Sequence, residues 1–323
     1  MPADLDLTRL RVLAAVARTG SVTSAARTLG YAQPSVSHHL SRLESEAGIP
    51  LLQRAGRGVR LTEAGRLLAD RAEEILARVD GAARELEALA EMRAGRARLA
   101  AFPSALATIV PAAVANLRDD LPGLAVSLLE AEPPEAVDAL RAGKVDVALV
   151  FEHTDVAHTR SIEDLSRFEV TDVFDEPVHL VRSVGDAPAD AAGGVCDPPG
   201  LATLADADWI AGCERCRADL LARCAQAGFA PRIAFETDDY VAIQALVASG
   251  AGVSTVPALT LRAHRDPGVV TAPLPGAIRR IMALTIGAPT PPARELIARL
   301  AAVGRRFADE DQLADEDQLA AAS

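Results

Sequence analysis

The sequence predicts a fold in three parts: a small N-terminal bundle of helices, one long helix, and a larger C-terminal domain of the α/β class. Residues 7 to 43 carry three short helical patterns separated by glycines. Residues 63 to 92 keep a single apolar stripe for about eight turns. From residue 98 onward, short apolar strands alternate with helices, which is typical of Rossmann-like units. At 323 residues, of which 50% are hydrophobic, the chain can form more than one core.

The first part begins with a helix over residues 7 to 19, followed by two helices and a tight turn over residues 21 to 43. Ser21 is a suitable N-cap for the second helix, and Gly30 can end it in the left-handed conformation. Pro34 suits the first turn of the third helix, where a backbone N–H is not needed. The third helix has one apolar face, and its other face is polar and mildly basic.

A helix with such a polar face can enter the major groove of DNA, with its N-terminal residues against the base edges. An ordinary helical hairpin is the alternative. The local charge favours DNA, because residues 1 to 61 carry eight arginines against four acids although the whole chain has a net charge of −12. The candidate DNA contacts on the third helix are Gln33, Pro34, Ser35, Ser37, His38 and Arg42.

Residues 51 to 61 predict a β wing after the third helix, because two glycines flank one arginine and a short alternating pattern follows. Together with the three helices, this predicts a winged helix-turn-helix over residues 1 to 61. Three wing arginines would lie over phosphate groups, which set register and affinity but carry no sequence information directly. A solvated basic loop is the alternative. The arginines are Arg54, Arg57 and Arg60.

The long helix is expected over residues 62 to 92, with Thr62 as its cap. Two series of small and aliphatic residues, each seven apart and offset by three, predict a heptad seam. A stripe of this length needs a partner helix, so we expect it to form a homodimer; packing against its own domain is the alternative. The seam consists of Gly65, Ala72, Val79 and Leu86 with Leu68, Ile75, Ala82 and Leu89.

The C-terminal domain is expected over residues 98 to 307, after a hinge at residues 93 to 97. The chain should cross from one Rossmann-like subdomain to the other and back again, which makes a hinged cleft like that of a periplasmic binding protein. The acidic tail carries six acids and few apolar residues, so it predicts disorder. The expected ranges are 98–175 with 270–307 for subdomain 1, 176–269 for subdomain 2, and 308–323 for the tail.

Motifs for catalysis are absent from the sequence: there is no G-x-S-x-G, H-E-x-x-H, P-loop or G-x-G-x-x-G pattern. We therefore expect no enzyme, no metal and no cofactor. No apolar run is long enough to span a membrane, and the N-terminus lacks the apolar core of a signal peptide, so a cytoplasmic protein is expected. The histidines of the C-terminal domain lack ligand spacing and are expected on the surface or in loops: His153, His158, His179 and His264.

The cysteines allow three interpretations. Cys213 and Cys216 form a C-x-x-C pattern at the start of a predicted helix, with Cys224 eight residues further on. A helix N-terminus stabilises a thiolate, so the pair can be a redox switch. Zinc would need a fourth ligand, and Cys196 is the only cysteine left. The third interpretation is that the thiols pack in the core or line a ligand site.

The N-terminal region strongly resembles the LysR family of transcriptional regulators. The matching motifs are the paired alanines of the second helix, then QPSVS, LSRLE, G-I-P-L-L-x-R and RGVRLTEAG, in this order. The resemblance extends more loosely over the rest of the chain. It implies a sequence-specific DNA-binding regulator with a linker helix that pairs with its twin and a C-terminal effector-binding domain. The alternatives are a small-molecule-binding protein or enzyme that uses its N-terminus only for dimerisation, and a thiol-based redox-sensing regulator.

The resemblance also implies partners: double-stranded operator DNA, a small-molecule effector, and further copies of the chain in a homodimer or homotetramer, with RNA polymerase as an additional candidate. The family places effector contacts where a strand meets a helix. Helix starts favour an anionic ligand, but Glu152 and Asp238 nearby would repel an anion, so a neutral or cationic ligand stays open. The candidate effector contacts are Phe102, Ser104, Ala105, Phe151, Gly212, Cys213 and Thr237.

Overall fold

The computed structural model describes residues 5–55, 58–90, 95–154, 165–186 and 200–321. Three helices open the chain, and each begins where the sequence predicts it. A two-stranded antiparallel hairpin, the predicted wing, and one long helix follow. These elements are α1 (Leu7–Thr19), α2 (Val22–Leu29), α3 (Gln33–Ala47), β1 (Leu52–Ala55), β2 (Gly58–Leu61) and α4 (Glu63–Ala90).

Local capping explains where the first two helices begin and end. The Asp6 side chain accepts a hydrogen bond from the Arg9 N–H at the start of α1. Ser21 caps α2 in the same way, by accepting from the Ser24 N–H. Gly30 ends α2 with φ of 68°, a left-handed conformation that glycine adopts without steric cost. The predicted cap and stop of α2 are confirmed.

One carboxylate fastens the hairpin to α3. Glu44 Oε1 accepts hydrogen bonds from the N–H groups of Leu51 and Leu52, at 2.8 and 3.0 Å. Thr62 Oγ1 accepts from the Gly65 N–H at 3.0 Å and so caps α4, as predicted. A Cβ at Gly65 would lie 2.0 Å from the Leu51 carbonyl oxygen, so this close approach of α4 to the hairpin requires glycine.

The predicted heptad seam of α4 is wrong in its first two turns. Gly65 and Ala72 face the N-terminal domain of the same chain, and α4 packs along α1 there. The close approach to the Leu51 backbone requires glycine at position 65, and Ala72 is fully buried. The outward-facing apolar side chains of the predicted seam are Ile75, Val79, Ala82 and Leu86.

The C-terminal domain alternates strands and helices, as predicted. β3 begins within the predicted hinge, so residues 96 and 97 belong to a strand, and residues 93 and 94 lie outside the described range. The first elements are β3 (Arg96–Ala101), α5 (Pro103–Leu106), α6 (Ile109–Asp120), β4 (Ala125–Glu130), α7 (Pro133–Arg141) and β5 (Val147–His153). The remaining elements are β6 (Glu169–Ser183), β7 (Asp208–Ala211), α8 (Glu214–Gln226), β8 (Arg232–Glu236), α9 (Tyr240–Ala248), β9 (Val253–Pro257), α10 (Ala258–Ala263), β10 (Val269–Thr285) and α11 (Pro291–Ala321).

All eight of these strands form one sheet in the order β4-β3-β5-β10-β6-β9-β7-β8. The outer strands on each side are parallel to one another, as expected for Rossmann-like units. The two predicted crossovers are the long strands β6 and β10, which pair antiparallel to each other and join the two halves. The sheet is therefore mixed and continuous. The ends of the two predicted subdomains stay a prediction.

Buried side chains cover both faces of the sheet. On β3 and β5, Leu99 and Leu149 point towards α6 and α11, whereas Ala100 and Ala148 point towards α7. This is the period-two alternation of a strand, and here both faces are apolar. Two further buried clusters lie on either side of β7 and β9. Because helices cover both faces of the sheet, a cleft is expected at the carboxyl ends of the parallel strands.

α11 continues as far as residue 321 and so includes residues that were expected to form a disordered tail, whose disorder stays a prediction. Phe307 packs against the core of the α/β domain. Arg262 supports the next turn: its Cζ lies 4.1 Å from the Phe307 ring centroid, and its Nη1 donates to Glu310 Oε2 at 2.7 Å. These contacts, which the sequence alone does not reveal, offset part of the entropy cost of ordering the helix.

Candidate functional site

The outward face of α3 presents the residues predicted to contact bases. Val36, Leu40 and Leu43 are buried against the first two helices. Because residues three and four apart share one face of a helix, the polar positions between them point away from the core. The exposed residues are Gln33, Pro34, Ser35, His38 and Arg42, and Ser37 is half-buried.

Basic side chains flank this face. Arg60 is exposed on β2, where it lies opposite Gln53 in the hairpin. Arg42 Nε lies 3.5 Å from Glu46 Oε1. Because the Arg42 side chain is 62% exposed, this pair contributes at most about 1 kcal/mol, so Arg42 can leave Glu46 for a phosphate. The side chains of the other two predicted wing residues, Arg54 and Arg57, lie outside what the structure describes.

A cleft of about 50 Å³ lies between the two halves of the α/β domain, at the carboxyl ends of strands. Five of the seven predicted effector contacts line it: Phe102, Ser104, Phe151, Gly212 and Cys213. Ala105 is buried and Thr237 is half-buried, and neither lines the cleft. Thr237 Oγ1 accepts a hydrogen bond from the Asp239 N–H at 3.2 Å, which supports the start of α9.

A buried guanidinium lies at the base of this cleft. Arg279 is 3% exposed, and its Nε donates to Glu176 Oε1 at 2.7 Å. Its Nη2 donates to Ser104 Oγ at 3.1 Å. Its Cζ lies 4.8 Å from the ring centroid of Phe102 and 4.4 Å from that of Phe151, so both rings make cation–π contacts. Four neighbours thus hold this charge in place.

A carboxylate lines the same cleft. Glu132 follows β4 and occupies the N-cap position of α7. Its Oε2 is enclosed and has no hydrogen-bond partner among the described residues. Burial raises the pKa of this carboxyl, and the Arg279 guanidinium and a hydrogen bond with Cys213 offset part of the increase. Asp238, exposed at the edge of the cleft, adds a second negative charge and raises the Glu132 pKa further.

Sequence reasoning missed Arg279 and Glu132 as site residues. Arg279 and Ile281 are two residues apart on β10, so their side chains point to the same buried face of the strand. A charged residue at a position where alternation predicts a buried side chain was the signal that could have identified Arg279. Glu132 follows the carboxyl end of a strand, so the rule that selected Phe102 could also have selected it. Glu152, expected near the effector contacts, lies within β5 and does not line the cleft.

The thiols of Cys213 and Cys216 lie next to each other in the cleft wall, with their Sγ atoms 3.3 Å apart. Their shared hydrogen bond lowers the pKa of Cys213 and raises that of Cys216, which burial raises further. Cys224 is buried in a separate core cluster, where burial raises its pKa to about 11. Cys196 lies outside the described residues. Within those residues, no group of three potential ligands could hold a metal ion.

A buried histidine on β5 lies against α8 beside the cleft. His153 Nδ1 lies 3.5 Å from Asp219 Oδ2, which accepts a hydrogen bond from Arg223 Nε at 2.8 Å. Burial lowers the pKa of His153 to about 3. Burial likewise lowers the pKa of His179 on β6 to about 4. The expectation of surface histidines is wrong for these two, because adjacent elements cover both rings.

The two parts of the chain match two family models. Residues 7–66 match the model described as bacterial regulatory helix-turn-helix protein, lysR family. Residues 90–311 match the LysR substrate binding domain. The chain belongs to the LysR family. It is a LysR-type DNA-binding transcriptional regulator whose C-terminal part is an effector-binding domain.

Known LysR-type proteins resemble the chain along most of its length. The probable HTH-type transcriptional regulator LrrA of Synechococcus elongatus is 30% identical over 283 residues, covering 87% of this chain and 90% of LrrA. The crystal structure of the LysR family regulator CbnR has a TM-score of 0.55 at 23% identity, covering 93% and 99% of the two chains. Full-length CbnR complexed with its target DNA has a TM-score of 0.53 at 25% identity, covering 94% and 99%.

These matches confirm the winged helix-turn-helix and the periplasmic-binding-protein-like α/β domain expected for a LysR-type regulator. The site residues themselves are tested neither for DNA nor for the effector, so their roles stay predictions. No helix among the described residues is both long and apolar enough to cross a membrane.

Proposed function

We propose that this LysR-type regulator changes its binding to operator DNA when a small-molecule effector occupies the cleft of its α/β domain. The proposal rests on the fact that both halves of the sheet contribute residues to the cleft lining. Phe102 and Ser104 come from the half of the sheet that contains β3, whereas Gly212 and Cys213 come from the half that contains β7. A ligand that touches both halves can favour one relative position of the halves over another.

The coupling is a difference in affinity. An effector shifts the regulator between two arrangements only to the extent that it binds one of them more tightly. The long strands β6 and β10 connect the halves and carry the buried Glu176 and Arg279 next to the cleft. A ligand against Ser104, which accepts a hydrogen bond from Arg279, would therefore act on the connection between the halves.

The regulator would act as a homodimer through α4, and dimers would associate further into tetramers. Ile75, Val79 and Leu86 are 38%, 39% and 68% exposed and follow one stripe of the helix. Exposed aliphatic side chains in a row along a helix are typical of a helix–helix interface. Gly65 and Ala72, which pack inside the N-terminal domain, are not part of this stripe.

On DNA, the N-terminal end of α3 would read base edges in the major groove, and basic side chains would bind phosphates. Gln33 and His38 are exposed and can each donate or accept hydrogen bonds at base edges. The further base contacts proposed are Pro34, Ser35 and Ser37. The proposed phosphate contacts are Arg42, Arg54, Arg57 and Arg60. The family membership supports a protein that works on DNA in the cytoplasm, has no catalytic activity, and acts through RNA polymerase.

A screen of small molecules tests the role of the cleft. Compounds that raise the melting temperature of the full chain would be titrated against operator binding, with Ser104→Ala as the cleft variant and Thr237→Ala as the matched hydroxyl deletion outside it. We expect the response midpoint to rise several-fold in Ser104→Ala and to change little in Thr237→Ala. Compounds that bind with an unchanged midpoint in Ser104→Ala would contradict the cleft assignment.

A second candidate function is thiol sensing, which the 3.3 Å separation of the Cys213 and Cys216 Sγ atoms favours. A disulfide requires about 2.05 Å, so the two atoms would need to approach by roughly 1.2 Å. With hydrogen peroxide as oxidant, the Cys213 thiolate would attack one oxygen and release hydroxide. The resulting sulfenic acid would condense with the Cys216 thiol to a disulfide and water. Mass spectrometry and operator binding before and after peroxide test this; an oxidised pair that leaves DNA affinity unchanged would exclude sensing.

A further inference from the structure

We propose that the effector is a small cation, carrying an ammonium, amidinium or guanidinium group, and that Glu132 binds this group. The proposal rests on the function proposed above, because it assigns a ligand class to the same cleft. It replaces the anion expected from the helix starts with a ligand of the opposite charge.

The charges that line the cleft favour a cation. The charged lining residues among those described are Glu132, Asp238 and Arg279. Arg279 is already neutralised by Glu176, whose Oε1 lies 2.5 Å from Arg279 Nη2, and two aromatic rings cover its guanidinium. Two carboxylates therefore remain to act on a ligand, and an anion would meet net repulsion.

Glu132 offers a specific acceptor as well as a charge. Its Oε2 is enclosed but has no hydrogen-bond partner in the described part of the chain. A buried acceptor without a partner is unfavourable, and more so when it is charged. A ligand N–H that donates to Oε2 would remove this penalty and form a charge-assisted hydrogen bond, which is among the strongest in proteins.

Three of the helix starts at the cleft offer little stabilisation to an anion. The helix that follows Phe102 has only four residues, and α10 has only six, so neither carries much of a dipole. The longer helix α8 already has an acid, Glu214, in its first turn. The volume of about 50 Å³ limits the enclosed part of a ligand to a few non-hydrogen atoms, a size that suits an ammonium or amidinium group.

Three probes of nearly the same shape separate charge from size: acetamidinium, acetamide and acetate, at equal ionic strength. The Ile243 side chain lines the cleft, so its methyl NMR signal in the full chain reports binding there. We expect acetamidinium to bind about tenfold more tightly than acetate, the ratio that one charge-assisted hydrogen bond provides. The variant Glu132→Gln should lose this preference. Glu135→Gln removes the same charge from an exposed position on the same helix and should keep it.

Three other outcomes would each contradict a different part of the proposal. Acetate binding at least as tightly as acetamidinium would overturn the cationic class while leaving the cleft as the effector site. A cation preference that persists in Glu132→Gln, with an unchanged melting temperature, would overturn the role of Glu132. If none of the probes shifted the Ile243 signal, the ligand class would be overturned together with the cleft itself.

Discussion

Arg279 on β10 and Glu176 on β6 are direct cross-strand partners, and their side chains form an ion pair that is 3% and 1% exposed. Glu176 Oε2 also accepts from the Leu259 N–H at 2.7 Å, at the start of α10. Arg279 in turn donates to Ser104. The pair thus links the two long strands to helices on both sides of the cleft, at the point where the halves of the domain meet.

Breaking this ion pair from one side should be strongly destabilising. Arg279→Met leaves the Glu176 carboxylate buried without its counter-ion, which costs about 3–5 kcal/mol. The double variant Arg279→Met with Glu176→Gln removes both charges and should recover much of that loss. Urea unfolding of the wild type, both single variants and the double variant measures the coupling. Additive effects in the double variant would contradict the view that the two charges stabilise each other.

This ion pair also illustrates what the sequence could and could not predict. The carboxyl ends of the predicted strands placed Phe102 and Phe151 at the cleft, where the resemblance to the family implied effector contacts. The pairing of Arg279 with Glu176 joins residues 103 apart in sequence, and it depends on the register of two long strands. Periodicity gives each strand its faces but not its register with a distant strand.

The linker helix shows the same limit. The sequence correctly predicted a long amphipathic helix, but it could not assign the faces, because the seam of small residues packs inside the chain's own domain. Gly65 approaches the backbone of Leu51, a contact that appears only once α1, the hairpin and α4 are assembled. The contacts of Arg262 with Phe307 and Glu310 were missed for a related reason, because Arg262 lies 45 residues from Phe307 in sequence.

Stability should fall in acid through the buried histidines. The pKa of His153 is about 3 in the folded protein against 6.5 for a free histidine, so the unfolded state binds more protons between these values. The free energy of unfolding therefore falls as the pH drops below about 6.5, by up to about 1.4 kcal/mol per pH unit for this residue.

The slope of the free energy of unfolding against pH should correspond to about one proton fewer in His153→Gln than in the wild type, measured by urea unfolding from pH 7 to pH 5. His179, with a pKa of about 4, contributes in the same direction, so the double variant should remove about two protons. A single variant with the slope of the wild type would show that His153 can be protonated in the folded protein.

Dimerisation should depend on the outer stripe of α4. Ile75→Asp places a charge in the proposed helix–helix interface without a partner, which costs several kcal/mol. We expect sedimentation to show dissociation and operator binding to fall with it. Arg66→Asp is the matched control, because it places the same side chain at an exposed position on the opposite side of the helix. A variant at position 75 that remains dimeric would contradict the proposed interface.

Mutations should distinguish residues that read bases from residues that bind phosphates. His38 lies on the face of α3 proposed for the major groove, so His38→Ala should change the preferred base at one position, by about 1–3 kcal/mol. Arg60→Ala should weaken all sites by a similar factor and reduce the dependence on salt. Binding to a panel of single-base variants distinguishes the two. Identical sequence preferences in both variants would contradict the assignment.

Selection of sites from random-sequence DNA by the full chain tests most directly whether this protein is a sequence-specific regulator. We expect the bound pool to converge on an inverted repeat, because two α3 helices of a dimer would read two half-sites. The affinity for that site should fall steeply and linearly with salt on a double-logarithmic plot, through release of counter-ions from the phosphates. A bound pool with no enriched sequence, or an affinity that does not change with salt, would contradict the account.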